Sequence, residues 1–290
     1  MQNINFNELV DYICRTQNLT TLRTVITKEL LHYDILCALS NANVLAKLTF
    51  HAGTALRLCY KLKRYSEDLD FAGGLDFNQD NFLNIKNILE DYIYNKYRMD
   101  VTVKDPKHSI IDSSTQTKVN VAKWQLSIVT NPEQPNIPQQ KIRVEIANIP
   151  AYTRKLMPLI SNYDFLPDGY NDTFVYVESL EEILADKIIA YAARPYFKNR
   201  DIWDLQWLNQ QNIIVNQDFV RNKAHDYGVK NFKQLLSEKI VMLEQVVMSK
   251  DFNSELSRFL DLDTKNKTLN KPGFHEYVIE TVTKTLKSAL

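Results

Sequence analysis

Along this chain the apolar residues recur first at helical spacing, then in alternation, and return to helical spacing for the last third. Residues 5–17 and 21–40 read as helices; in the second, Leu22, Val25, Ile26, Leu30, Leu31, Ile35, Leu36 and Leu39 recur three and four apart. Leu45–Phe50 reads as a short strand running into His51-Ala52-Gly53, and Thr54 is placed to cap a helix over 55–62. Asp68–Phe71 is the next strand, ended by Gly73-Gly74, and a helix over 79–97 buries Phe82, Ile85, Ile88, Leu89 and Tyr92. Alternation then takes over: Val101 and Val103, a long strand over Lys118–Thr130, a three-proline turn over Asn131–Pro138, and a strand from Lys141. In that last strand Ile142, Val144 and Ile146 form one face and Lys141, Arg143 and Glu145 the other. Residues 150–172 look irregular, with a short strand at Phe174–Val177; helices are expected over 179–193, 200–210, 216–227, 230–249 and 272–288. The expected class is α+β: a helical lead and a mixed sheet domain over 1–178, then a helical domain over 179–290.

Charge and composition narrow this only a little. At 290 residues the chain can bury a large core, and its 35 basic residues are matched by 35 acidic ones, so it is not coated for bulk polyanion binding. A local basic groove remains open. Cys14, Cys37 and Cys59 sit in helical patterns without metal-ligand spacing and read as small buried hydrophobes of a reducing compartment. The N-terminal residues lack the pattern of a secretion signal and no apolar run is long enough to cross a bilayer, so a cytoplasmic location is expected. His32, His108, His225 and His275 are isolated, and there is no zinc spacing, Walker loop, dinucleotide fingerprint or Gly-x-Ser-x-Gly.

The candidate chemistry lies between Phe50 and Gly74. Asp68 and Asp70, two apart on a strand, point to one face while Leu69 and Phe71 point into the core. Paired carboxylates repel unless a divalent cation sits between them, and Mg²⁺ prefers such hard oxygen ligands. Glu145 is the best candidate for a third, on a neighbouring strand. Gly53, ahead of a helix, permits close approach of a phosphate, which the helix N-terminus would favour. Arg64 and Ser66 could hold phosphate oxygens, and His51 could touch a base or phosphate. Each has an ordinary alternative: a charged strand face for Asp68, Asp70 and Glu145, a surface charge for Arg64, a structural imidazole for His51.

A second constellation covers residues 185–205. Lys187, Tyr191 and Arg194 fall on one helical stripe ended by Pro195, and Asp201 and Asp204 share a face of the next helix, with Arg200 beside them. Lys187 could neutralise triphosphate charge. Salt bridges between the two helices are the alternative.

Together Gly53-Thr54-Ala55-Leu56, Arg64-x-Ser66-x-Asp68-Leu-Asp70-Phe71, Lys187 with Arg194, and Arg200-Asp201-x-x-Asp204-Leu205 resemble the AbiEii/AbiGii toxin family of nucleotidyltransferase-like proteins, whose relatives include the mycobacterial MenT toxins. The Asp-Leu-Asp block with its preceding Arg and Ser is the specific part. The resemblance implies a nucleotidyltransferase-like mixed sheet core and transfer of a nucleoside monophosphate from an NTP, with Asp68 and Asp70 holding Mg²⁺ or Mn²⁺. It also implies that Gly53 and Thr54 hold the triphosphate, that Arg64 and Ser66 position it, and that Lys187 and Asp204 belong to the second motif. A toxin of a toxin–antitoxin or phage-defence module follows, with a cognate antitoxin and an RNA acceptor, above all tRNA. A protein hydroxyl as acceptor, or a non-catalytic nucleotide-binding protein of the same fold, are the alternatives. The family's first glycine is Ala52 here, a change that costs little if its φ is negative.

Overall fold

The computed structural model describes residues 5–106, 119–134, 136–167 and 169–290. Among these the chain forms two compact units, one running to Val177 but for Leu62–Arg64 and Val119, the other made of those residues and Glu178–Leu290.

The first unit begins with α1 (Phe6–Thr16), which Asn5 caps by accepting from the amides of Asn7 and Glu8. A 3₁₀ turn leads into α2 (Arg23–Asn41), whose residues from Ile26 to Leu39 are buried nearly all round. β1 (Thr49–His51) enters α3 (Ala52–Tyr60), and β2 (Leu69–Ala72) follows. Then come α4 (Ile85–Tyr97), β3 (Val101–Lys104), β4 (Val121–Ile128), β5 (Gln140–Ala147), β6 (Lys155–Pro158) and β7 (Phe174–Val177). Among the described residues the seven strands form one sheet in the order β3-β4-β5-β2-β1-β7-β6. β2–β5 and β1–β7 run parallel and the other pairs antiparallel.

Alternation in β4 and β5 does what the sequence pattern asks. Ala122, Trp124, Leu126 and Ile128 pack with Ile142, Val144 and Ile146 on the buried side, while the intervening residues face outward. α3 is tied to α2 by a buried fork, Arg57 Nε to Glu29 Oε2 at 2.8 Å and Nη2 to Oε1 at 3.0 Å. The fork orients the helix that opens at His51.

Several boundaries differ from the sequence expectation. Leu45–Lys47 is a 3₁₀ turn, so the strand begins only at Thr49. Residues 79–82 are likewise a separate 3₁₀ turn before α4. Asp68 lies just ahead of β2 rather than inside it. The stretch read as irregular holds β6, a short edge strand with mostly exposed residues and therefore no apolar alternation to betray it. Lys118 and His108 lie outside the described residues, as does Pro135 of the expected three-proline turn.

The second unit is helical: α5 (Leu180–Ala193), α6 (Asn199–Gln210), α7 (Gln217–Asp226), α8 (Phe232–Val247), α9 (Lys250–Ser257), α10 (Leu262–Lys267) and α11 (Phe274–Lys287). α5 is its centre, packing on α6, α7 and α8, with α11 closing over α6 and α8. The helix read over 230–249 ends at Val247, and Ser249 caps a new one, α9, by accepting from the Phe252 amide. A buried ion cluster joins α5 to α7: Lys223 Nζ lies 3.0 Å from Glu178, 2.8 Å from Glu182 and 3.1 Å from Asp186. Burial alone would depress the Lys223 ammonium, but the carboxylates of Asp186 and Glu178 hold it above its ordinary range. Burial, then the Asp186 charge, pushes the Glu178 carboxyl well above its ordinary value. None of this was visible in the sequence, where the four residues span 45 positions.

Candidate active site

The first unit gathers the carboxylates in one place. In the sheet register His51 pairs with Asp70, Asp70 with Glu145 and Glu145 with Lys123, so these four residues form a single row across β1, β2, β5 and β4. Residues directly opposite in a sheet have their side chains on the same face, about 5 Å apart. Asp68 joins the same side one step earlier: its Oδ1 accepts the Arg143 amide at 3.1 Å, and the Arg143 guanidinium lies 3.7 Å from Oδ2. The Asp68 side chain is 32% exposed and the Glu145 side chain 19%, so both carboxylates are sheltered yet open to a ligand. Asp70 and Glu145 are register partners on adjacent strands, and carboxylate oxygens are the hard donors that a divalent cation of the Mg²⁺ type takes.

The helix start beside this row is built differently from expectation. α3 begins at Ala52, its N-cap is His51, and no side chain caps it. Thr54 is therefore not the cap. Its Oγ1 donates to the carbonyl of Asp68, pinning the first turn of α3 to the entry of β2. The left-handed backbone falls not on Gly53 but on Ala52, whose φ is +61°. The condition under which the Ala-for-Gly exchange is cheap is thus not met, since a Cβ in this region crowds the neighbouring carbonyl. Gly53 itself is buried within the helix. Ser66 is buried as well.

In the second unit the structure brings together Arg64, Lys187, Arg194, Asp201 and Asp204. Arg64 grips Asp204 with a two-pronged contact, Nε to Oδ1 at 2.6 Å and Nη2 to Oδ2 at 2.5 Å. Lys187 Nζ reaches Asp201 Oδ1 at 2.8 Å and Asp204 Oδ2 at 2.6 Å, and Arg194 pairs with the other oxygen of Asp201. Arg64 is thus a buried partner of α6 rather than an open phosphate donor. Burial works against both carboxylates, yet Lys187 and Arg194 hold Asp201 well below the usual range, and Arg64 and Lys187 do the same for Asp204. Arg200 is turned elsewhere, 3.4 Å from Glu255 and stacked over Phe259. Tyr191 donates to the carbonyl of Lys239.

One residue of this region was passed over in the sequence. Lys198, the N-cap of α6, has its ammonium depressed by burial first; Asp201 opposes the shift and Lys187, Arg200 and Arg194 add to it. Arg64, Lys187, Arg194 and Lys198 against Asp201 and Asp204 make a surplus of positive charge, the polarity that suits a phosphate group. Its signal was its place three residues ahead of Asp201 at a helix start.

The seven-stranded mixed sheet with its flanking helices has counterparts among solved structures. MenT4, a nucleotidyltransferase toxin from Mycobacterium tuberculosis H37Rv, has a similar structure, with a TM-score of 0.62 at 16% identity over 96% of this chain and 89% of that one. JHP933 from Helicobacter pylori aligns with a TM-score of 0.51 at 18% identity, over 91% of this chain and 93% of that one. At these identities the likeness shows the fold. No curated protein matches the sequence. Residues 34–279 match the family described as nucleotidyl transferase AbiEii toxin, type IV toxin–antitoxin system, and the chain belongs to that family. Membership implies a nucleotide substrate and a cognate antitoxin. Among the described residues no helix is long and apolar enough to cross a membrane.

Proposed function

We propose that this protein transfers a nucleoside monophosphate from an NTP to an RNA acceptor, with tRNA as the leading candidate, and that it needs a divalent metal ion. The observation that carries the reading is the register of Asp70 with Glu145 on parallel strands, with Asp68 on the same side. Asp68, Asp70 and Glu145 would hold Mg²⁺ or Mn²⁺, which when bound supplies charge neutralisation at the phosphates and lowers the pKa of a coordinated hydroxyl. The uncapped first turn of α3, Ala52 to Thr54, offers backbone N–H groups to the triphosphate. Thr54 keeps that turn aligned with Asp68. In the second unit Arg64 positions Asp204, and Lys187, Arg194 and Lys198 form a cationic group of the polarity that phosphate oxygens take. Catalysis of this kind is mostly positioning and electrostatics, which suits a site whose charged groups are locked by one another.

The test is incubation with each of the four labelled NTPs, total tRNA and Mg²⁺. Label should enter RNA, vanish with a chelator, and fall at least about a hundredfold in Asp70→Asn, since even residues behind a metal ligand cost 10–100-fold. Label entering protein instead would transfer the reading to a protein hydroxyl. No label in either, with any NTP, would overturn it in favour of a nucleotide-binding protein without transfer.

A further inference from the structure

We infer that the outward face of β3, β4 and β5 is a track for the phosphodiester backbone of the acceptor RNA, delivering it to the Asp70–Glu145 row; this rests on the RNA-acceptor reading above. Three cross-strand rows define the face. The first is Thr102, Ser127 and Lys141; the second is Lys104, Gln125 and Arg143, leading to Asp68; the third is Lys123 and Glu145, leading to Asp70. The charged residues at these outward strand positions are four cations against the single carboxylate Glu145. In a chain whose 35 basic and 35 acidic residues cancel, this excess is local.

Two structural explanations account for only part of it. Lysine on an edge strand discourages sheet-to-sheet pairing, which would explain Lys104 on β3, but β4 and β5 are interior strands. Neutralising the site carboxylates would explain Lys123 and Arg143, but their distances to Glu145 and Asp68 are 3.5 and 3.7 Å, longer than hydrogen bonds, and both side chains are more than half exposed. Neither explains Lys141, exposed and without an ion-pair partner among the described residues, as Lys104 also is. Along β5 the steps Lys141, Arg143, Glu145 are about 7 Å each, so the cations extend roughly 14 Å back from the carboxylate row. That is the arrangement expected of a guide for a polyanion, interleaved with the neutral donors Thr102, Gln125 and Ser127.

The composition of the face also says how the RNA is held. None of the eight outward residues is aromatic, so bases have nothing to stack on, and the contacts are to phosphates. The track therefore positions its acceptor without reading sequence.

The experiment is fluorescence anisotropy of a labelled tRNA against the full-length protein at several salt concentrations, beside the label-transfer assay, for wild type and Lys104→Gln/Lys141→Gln. Each lost phosphate contact reduces the slope of log K against log salt by about 0.7–0.9, so the double variant should lose about 1.4–1.8 of slope. The KM for RNA should rise, while NTP affinity and thermal melting stay at wild-type values. An unchanged slope, with RNA still labelled, would overturn the track and leave the transferase reading standing. Label in protein and no RNA binding by the wild type would overturn both.

Discussion

Ala52 is where the local backbone and the chemistry disagree most openly. At φ +61° its Cβ carries roughly 1–2 kcal/mol of steric cost, at the step where backbone amides would meet phosphate. Strained backbone of this kind concentrates at functional sites. Ala52→Gly should raise stability by about 1 kcal/mol, because the relief exceeds the extra entropy that glycine gains when unfolded. It should also tighten NTP binding. Thermal melting and nucleotide titration measure the two effects, and a less stable Ala52→Gly would contradict the account. His32 gives a second residue-scale prediction. It is buried, with Nε2 3.0 Å from the Glu67 carbonyl, and burial draws its pKa down from 6.5 to about 4. The unfolded chain therefore binds the proton first, so stability is full above about pH 6.5 and declines as pH falls towards 4, by on the order of 3 kcal/mol. Melts of wild type and His32→Gln across this range should diverge, the variant lacking that share of the decline; parallel curves would rule out His32 as the cause.

At the scale of elements, the helical unit is held by two buried ion networks, and both bind a helix to its neighbours through α5. Lys187 spans from α5 to Asp201 and Asp204 on α6, and Lys223 on α7 meets Glu178, just ahead of α5, and Glu182 and Asp186 on it. Removing one partner of a buried network leaves uncompensated charge. Lys223→Met should therefore cost about 3–5 kcal/mol, read as loss of the helical unit's cooperative melting. A melt within 1 kcal/mol of wild type would show that the carboxylates accommodate the loss by taking up protons. The same reasoning separates structure from chemistry around Asp204. Its bond to Arg64 could not be read from local pattern, because the pair is 140 residues apart in the chain.

For the molecule as a whole, charge neutrality conceals a strong segregation: acidic groups in a row on the sheet, cations beside them on β3–β5, and buried ion networks in the helical unit. Much of the plan was legible without coordinates. The helical lead, the alternating strands β3 to β5, the five longer helices of the second unit and the family motif rest on patterns of a few residues, which hydrophobic periodicity and local spacing specify directly. The apolar face of β5 required Glu145 to look outward, whatever lay beside it. Which strand lay beside it was a tertiary matter. The pairing of Asp70 with Glu145 crosses 75 positions, and so depends on how the whole sheet closes its core rather than on any local preference. The positive φ of Ala52, the turn of Thr54 towards Asp68, the grip of Arg64 on Asp204 and the burial of Lys223 among carboxylates belong to the same category. Sequence by itself determined which residues carry charge and which face of each element they occupy. Only the tertiary structure decided which charges meet, because that choice is made by packing between elements far apart in the chain.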